Sequence, residues 1–300
     1  MLSISNIKAW NNMKIGLVLS GGGAKGAYEA GVIRALHELD AYDKVKVVSG
    51  TSVGALNTAV FAMGDPSLAE KLWSDIGFSD VLAHNEKKDH ESRSIGSIME
   101  DISRSIQKED KGFFAKLVPD DGLFAQAGLE KILRDTVDCS AIQKSGCEYY
   151  VCAYNTKAGR PDYFKLNDLG SETIIKATLA SAAIPYVFDP VTIDGVSYAD
   201  GGINDPSYPE KNADVTPIAP LKGKKLKLII VVHLRTDNLP DYSAISPVPI
   251  IDIIPSRSLE PIRGTGTLNF SKANIQEKME LGYRDTVVAI APKLIDLLKK

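Results

Sequence analysis

A serine stands midway between two glycines in Gly50-Thr51-Ser52-Val53-Gly54. An apolar run precedes it (Val45, Val47, Val48) and another follows it (Ala55 to Met63). That pattern reads as a strand, a tight turn and a helix, with the serine at the apex. Gly50 and Gly54 leave room for a strained backbone and for close approach of strand to helix. A serine held there projects its hydroxyl clear of the sheet, and the helix N-terminus that follows favours developing negative charge. The arrangement suits a nucleophile, which needs in addition a base for its proton and donors for the oxyanion that forms.

The donors have a candidate in Ser20-Gly21-Gly22-Gly23-Ala24-Lys25-Gly26, which follows the apolar run Ile15 to Leu19. Gly21, Gly22 and Gly23 expose backbone N–H groups just before a helix, and Lys25 adds a cation nearby. If the two strands are neighbours, this turn and Ser52 share the carboxyl edge of the sheet. The competing reading is a glycine turn needed only for packing. The base is open at this level. His37, His84, His90 and His233 are the histidines; Asp200, between a strand-like arm and Gly201-Gly202, is the other candidate. A carboxylate at a strand end beside two glycines is positioned, although Asp-Gly also forms ordinary turns.

The elements that must position these groups follow from the pattern. Val32, Ala35, Leu36 and Leu39 repeat at helical spacing after the glycine turn. The helix after Ser52 is apolar nearly all round, so it belongs deep in the molecule. Two strand-turn-helix units call for a parallel sheet covered by helices. Leu129, Ile132, Leu133 and Val137 mark an amphipathic helix, Tyr149 to Asn155 a strand and Tyr163 to Leu166 another; Thr173 to Ala183 reads as a helix stopped by Pro185. Asp194-Gly195 joins Val187–Ile193 to Val196–Asp200 as a hairpin. Leu226 to Leu234 is a buried strand, 236–261 is a proline-rich arm expected to wrap the surface, and a helix from Ser271 is expected to break at Pro292. Residues 78–121 are polar and irregular apart from Phe113, Phe114, Leu117 and Val118, and read as a cap or insertion. The expectation is an α/β three-layer sandwich with a mostly parallel central sheet. One domain would span 1–300, with its core at about 14–235, the insertion at about 78–121 and the arm and last helix at 236–300.

Bulk composition narrows the partners. A net charge of −3 supplies no basic field for nucleic acid. The lysines at 222, 224, 225 and 227 read as a solvated turn before a strand. Cys139, Cys147 and Cys152 lack metal-ligand spacing and fit reduced thiols in a cytoplasm. Met1 to Lys14 lacks the pattern of a signal peptide, and the longest apolar run falls short of the roughly 18–20 residues that span a bilayer. Membrane contact is therefore expected to be peripheral. No cofactor or metal is implied.

The three blocks Gly21-Gly22-Gly23-Ala24-Lys25-Gly26, Gly50-Thr51-Ser52-Val53-Gly54 and Asp200-Gly201-Gly202 resemble those of the patatin-like phospholipases. The approach to the third block, Ala180-Ser181-Ala182-Ala183-Ile184-Pro185 then Val187-Phe188, resembles them too, as do Ile254-Pro255-Ser256 and Gly266 to Phe270 in the tail. The resemblance runs from about Lys14 to about Arg235. It implies a dyad without histidine: Ser52 as nucleophile, Asp200 as base, the Gly21–Gly23 turn as oxyanion hole with Lys25 beside it. The implied substrates are phospholipids, lysophospholipids or other fatty-acyl esters. One carboxylate suffices for an ester more readily than for an amide, because an alkoxide leaving group needs less proton assistance. Tyr186 replaces a commoner glycine, and Asn212-Ala213-Asp214 a commoner Gly-Ala-Asp; both bear on substrate shape.

Other readings compete. Gly21, Gly23 and Gly26 satisfy a dinucleotide fingerprint, but Gly50-Thr51 stands where that fold needs an acidic residue. Lys25 is followed by glycine, which excludes a P-loop. Ser52, Asp200 and His233 have the chain order of an α/β-hydrolase triad. A lipid-binding or scaffolding protein could keep the fold without the reaction. An acyl-enzyme that met an alcohol instead of water would make the chain an acyltransferase.

Overall fold

The computed structural model describes residues 10, 12–81, 83–84, 124–185, 187–202, 213–237, 240, 242, 247–260 and 269–299. Most of the insertion, with Phe113, Phe114, Leu117, Val118 and His90, lies outside the described residues, as do Tyr186 and Asn212.

Strand β1 (Ile15–Leu19) lies parallel to β2 (Val45–Thr51), with Leu19 opposite Gly50. Between them a single 3-10 turn, Gly23–Gly26, runs into α1 (Ala27–Glu38). Helix α2 (Val53–Phe61) leaves directly from the end of β2, followed by α3 (Leu68–Asp75) and α4 (Phe78–Val81). Two short strands, β3 (Ala83–His84) and β4 (Phe124–Ala125), pair antiparallel. Next come α5 (Ala127–Thr136), α6 (Cys139–Lys144), β5 (Glu148–Asn155), β6 (Arg160–Lys165) and α7 (Ser171–Ser181). The hairpin of β7 (Val191–Ile193) and β8 (Val196–Asp200) turns on Asp194 and Gly195, at φ 48° and 77°. Left-handed conformation at both residues matches the twist of the flanking strands. Strands β9 (Leu228–Val232) and β10 (Ile250–Ile253) and helix α8 (Lys272–Lys299) complete the described chain.

Among the described residues, eight strands form one sheet in the order β10-β9-β1-β2-β5-β8-β7, with β6 paired to β5. The run from β10 to β5 is parallel; β6, β8 and β7 are antiparallel. This is a mixed, mostly parallel α/β sheet surrounded by helices. Ile15, Leu17 and Leu19 of β1 and Leu228, Ile230 and Val232 of β9 enter the helical core. The alternate residues Val18, Ile229 and Val231 face the other side, under Ile218, Leu221 and Leu226. Burial on both faces explains why these strands read as continuous apolar runs.

Two expectations need correction. The proline-rich arm is not merely a surface wrap: its Ile250–Ile253 becomes edge strand β10, with Ile251 and Ile253 buried. Pro249 and Pro255 bracket it, and an edge strand tolerates prolines that a central strand would not. Helix α8 also does not break at Pro292 but runs through it. Pro292 is exposed near the helix end, where one lost hydrogen bond is easily tolerated. Helix α8 crosses α1 very closely. A Cβ on Gly31 would lie 1.8 Å from the Met279 carbonyl oxygen, and one on Gly282 would lie 2.0 Å from that of Tyr28.

Candidate active site

The register of β5 brings the ends of β2 and β8 together. Cys152 pairs with Thr51 of β2 and with Tyr163 of β6. Ala153 pairs with Asp200 of β8 and with Asp162 of β6. A strand has two edges, so β2 and β8 share the edge that β6 does not occupy. They run toward each other, and Thr51 and Asp200 face consecutive residues of β5. Ser52 and Asp200, distant in sequence, therefore meet where the two strands end.

Ser52 has φ 56° and ψ −123°, a strained conformation for a residue with a side chain. Its glycines are needed for contact: a Cβ on Gly50 would lie 2.1 Å from the Gly54 oxygen, and one on Gly54 2.3 Å from the Leu19 oxygen. The Ser52 N–H donates to Ser181 Oγ at 2.9 Å, and Ser181 Oγ in turn donates to the Cys152 carbonyl at 2.5 Å. Ser181 thus anchors the strained turn to β5.

Asp200 is buried, with Oδ1 accepting the Gly202 N–H at 2.8 Å. The Ser52 hydroxyl faces the carboxyl and stabilises its charge, yet Oδ2 closes no full hydrogen bond. Loose contacts of this kind are usual before substrate binds. Burial pushes the Asp200 pKa up to about 6, against the opposing pull of Ser52 and the Gly202 N–H. Gly201 lets the chain pass β5: a Cβ there would lie 2.5 Å from the Cys152 oxygen. The segment from Ala213 to Val215 sews the parts together. Asp214 N–H donates to the Gly201 carbonyl, Thr51 Oγ1 to the Asp214 carbonyl, and Gly21 N–H to the Val215 carbonyl.

The glycine turn lies against Ser52; a Cβ on Gly21 would be 3.2 Å from the Ser52 Cβ. Gly21 spends its N–H on Val215, at 2.9 Å. Gly22 and Gly23 enter a helical turn, where N–H groups have no acceptor within the helix. Lys25 stands next to Gly22, but its Nζ is bound to Glu260 Oε1 at 2.8 Å.

The two histidines whose side chains are described, His37 and His233, have other surroundings. His233 is buried just beyond β9, with Nε2 at 2.8 Å from Asp252 Oδ1 and 3.1 Å from Tyr242 Oη. Its hydrogen-bond partners are thus Asp252 and Tyr242, not Ser52 or Asp200. His37 is exposed on α1.

An apolar cleft of about 100 Å³ opens from Ser52 and Gly23. Leu56 and Val60 of α2, Leu72 and Trp73 of α3, Leu129 and Leu133 of α5, and Phe188 and Phe270 line it. Sequence reading saw the amphipathic stripe of α5 but not that it walls this cleft. It also assigned no role to Ser181, whose only signal was its place in the Ala180–Pro185 block. Among the described residues, no helix is long and apolar enough to cross a membrane.

Residues 17–213 match the family model for patatin-like phospholipase, and the chain belongs to that family. An uncharacterized NTE family protein of Mycobacterium tuberculosis is 29% identical over 229 residues, covering 76% of this chain and 51% of that protein. A probable lipid hydrolase of invertebrate iridescent virus 6 is 25% identical over 189 residues, covering 62% of this chain and 59% of that protein. This chain therefore spans about half the length of the mycobacterial relative. The crystal structure of VipD from Legionella pneumophila aligns with 96% of this chain and 67% of its own, at 15% identity and a TM-score of 0.48.

Proposed function

We propose that this chain is a serine lipid acyl hydrolase that cleaves fatty-acyl esters of phospholipids or lysophospholipids. Ser52 Oγ attacks the ester carbonyl carbon while Asp200 takes the hydroxyl proton. The carbonyl oxygen gains the negative charge and is received by the N–H groups of Gly22 and Gly23, with the positive end of the following helix behind them. Collapse of the tetrahedral intermediate breaks the bond to the alcohol oxygen, and Asp200 returns the proton to that leaving group. A water then attacks the acyl carbon as its proton passes to Asp200; the bond to Ser52 Oγ breaks, Asp200 hands the proton to Ser52 Oγ, and the fatty acid is freed.

The observation that carries this reading is the head-on meeting of β2 and β8 on one edge of β5, which sets a strained serine beside a buried carboxyl group. A pKa raised to about 6 leaves Asp200 ionised at neutral pH yet basic enough to accept a proton. The apolar lining of the cleft that opens at Ser52 supports an acyl group as the bound part of the substrate. Family membership supports the same chemistry, as does the probable lipid hydrolase among the relatives.

A fluorophosphonate probe tests the nucleophile: wild type should be labelled and Ser52→Ala should not. Mixed membrane lipids incubated with wild type and with Asp200→Asn should yield free fatty acid and lysolipid with wild type alone. Products no different from buffer would leave a lipid-binding role as the better account.

A further inference from the structure

A second buried carboxyl group lies behind the site, and the reaction above does not use it. Glu29, in the first turn of α1, is fully buried. Its Oε2 accepts a 2.7 Å hydrogen bond from Asn57 Nδ2. The carboxyl group also interacts with the N–H of Ser20, the residue just before the glycine turn. Oε1 is buried without a hydrogen-bond partner among the described residues. Asn57 reaches further: Nδ2 also donates to the Gly26 carbonyl at 3.1 Å, and Oδ1 accepts from Trp73 Nε1 at 3.0 Å. Both Asn57 and Trp73 line the cleft. One carboxyl group therefore links the start of the glycine turn, its end through Asn57, the helix behind Ser52 and the cleft wall.

We propose that Glu29 is a positioning residue for the glycine turn, acting as a neutral carboxylic acid through Ser20 and Asn57. The proposal rests on the acyl-hydrolase reading of Ser52 and Asp200. Among the described residues, no charged group acts on the Glu29 carboxyl group, so a carboxylate there would have no counter-ion. Charged groups on the surrounding elements have other partners: Lys25 has Glu260, Arg34 has Glu70 and Glu280, Asp285 accepts from the Tyr28 hydroxyl, Glu38 accepts from the Tyr283 hydroxyl, Lys71 has Asp65, and Lys278 feels the charges of Lys25 and Glu260. Burial pushes the Glu29 pKa up to about 8, with Asn57 and Ser20 pulling the other way, so the group keeps its proton at neutral pH. Loss of that proton places an uncompensated negative charge behind the amides that receive the oxyanion. The turn then stabilises the developing charge less well.

The test compares full-length wild type, Glu29→Gln and Glu29→Leu, with Ser52→Ala as the blank. The readouts are the rate of fluorophosphonate labelling and the kcat and KM for a p-nitrophenyl ester across the neutral to alkaline range. Wild-type kcat/KM should fall above about pH 8. Glu29→Gln keeps an acceptor and has no proton to lose, so it should stay within about threefold of wild type at neutral pH and lack the alkaline fall. Glu29→Leu should lower kcat and labelling by about tenfold or more, with little change in KM. A Glu29→Gln protein that keeps the wild-type alkaline fall overturns the proposal, and so does a Glu29→Leu protein with unchanged kcat. If Glu29→Leu does not fold, the Glu29→Gln profile decides alone. A wild type that is neither labelled nor active sinks the acyl-hydrolase reading and this proposal together, whereas failure confined to the Glu29 variants leaves that reading standing.

Discussion

Asp200 and Glu29 sit on two sides of the same serine turn, and their surroundings are alike in most respects. Both are fully buried, and each keeps one carboxyl oxygen without a closed hydrogen bond. Burial raises both pKa values, to about 6 for Asp200 and about 8 for Glu29. What faces them differs. Asp200 looks at a hydroxyl and one backbone N–H at a strand end; Glu29 looks at a carboxamide and the backbone behind the glycine turn. At neutral pH the first is mainly ionised and the second mainly protonated. The pair shows that burial alone does not assign a carboxyl group its task. The neighbouring group does, because it determines whether a proton can be delivered there or is merely held.

Breaking the Asp200 side should cost most. Asp200→Asn keeps the shape but removes the base, so kcat should fall by about 10³-fold. In wild type, kcat/KM should rise with pH through about 6 as Asp200 loses its proton, and this acid limb should be absent from the residual activity of Asp200→Asn. A pH-rate profile of both proteins checks it. Ser181→Ala strips the acceptor from the Ser52 N–H and the donor from the Cys152 carbonyl. It should lower stability by about 1–3 kcal/mol and slow fluorophosphonate labelling, with Ser181→Thr recovering most of the labelling rate. Chemical denaturation and labelling kinetics measure the two effects. Filling the cleft should change selectivity more than rate: Leu133→Trp should raise KM for long-chain esters by about tenfold and leave short-chain esters nearly untouched.

A separate effect, on stability rather than on rate, sharpens the Glu29 side. An acid whose pKa is higher folded than unfolded binds its proton more tightly in the native state. Its presence therefore lowers stability as pH rises from the unfolded value, about 4.3, toward the folded value. For Glu29 that window ends at about 8. Wild-type melting temperature should decline across it relative to Glu29→Gln, and the two curves should run parallel above it. Thermal melts at a series of pH values provide the check.

Much of the site is legible in the residues themselves. Gly50 and Gly54 around Ser52 announce a turn too tight for any other residue, and the contacts a Cβ would make bear out that reading. The apolar runs of β1, β2 and β9 announce a sheet covered on both faces, and Asp194-Gly195 announces its hairpin. These features are local, because chain geometry over a few residues dictates which side chains are allowed. The proline-rich arm is less legible, since an edge strand needs a neighbour, β9, that the local pattern does not reveal.

What only the tertiary structure decided is which distant groups meet. Nothing within Asp200-Gly201-Gly202 says that it will share an edge of β5 with Thr51, nor that Lys25 will turn to Glu260 and His233 to Asp252. Glu29 carries no motif at all. It looks like an ordinary helical glutamate until Asn57 and Ser20 close around it. Spacing along the chain specifies backbone conformation, whereas burial, proton affinity and the reach of a hydroxyl depend on which surfaces pack together.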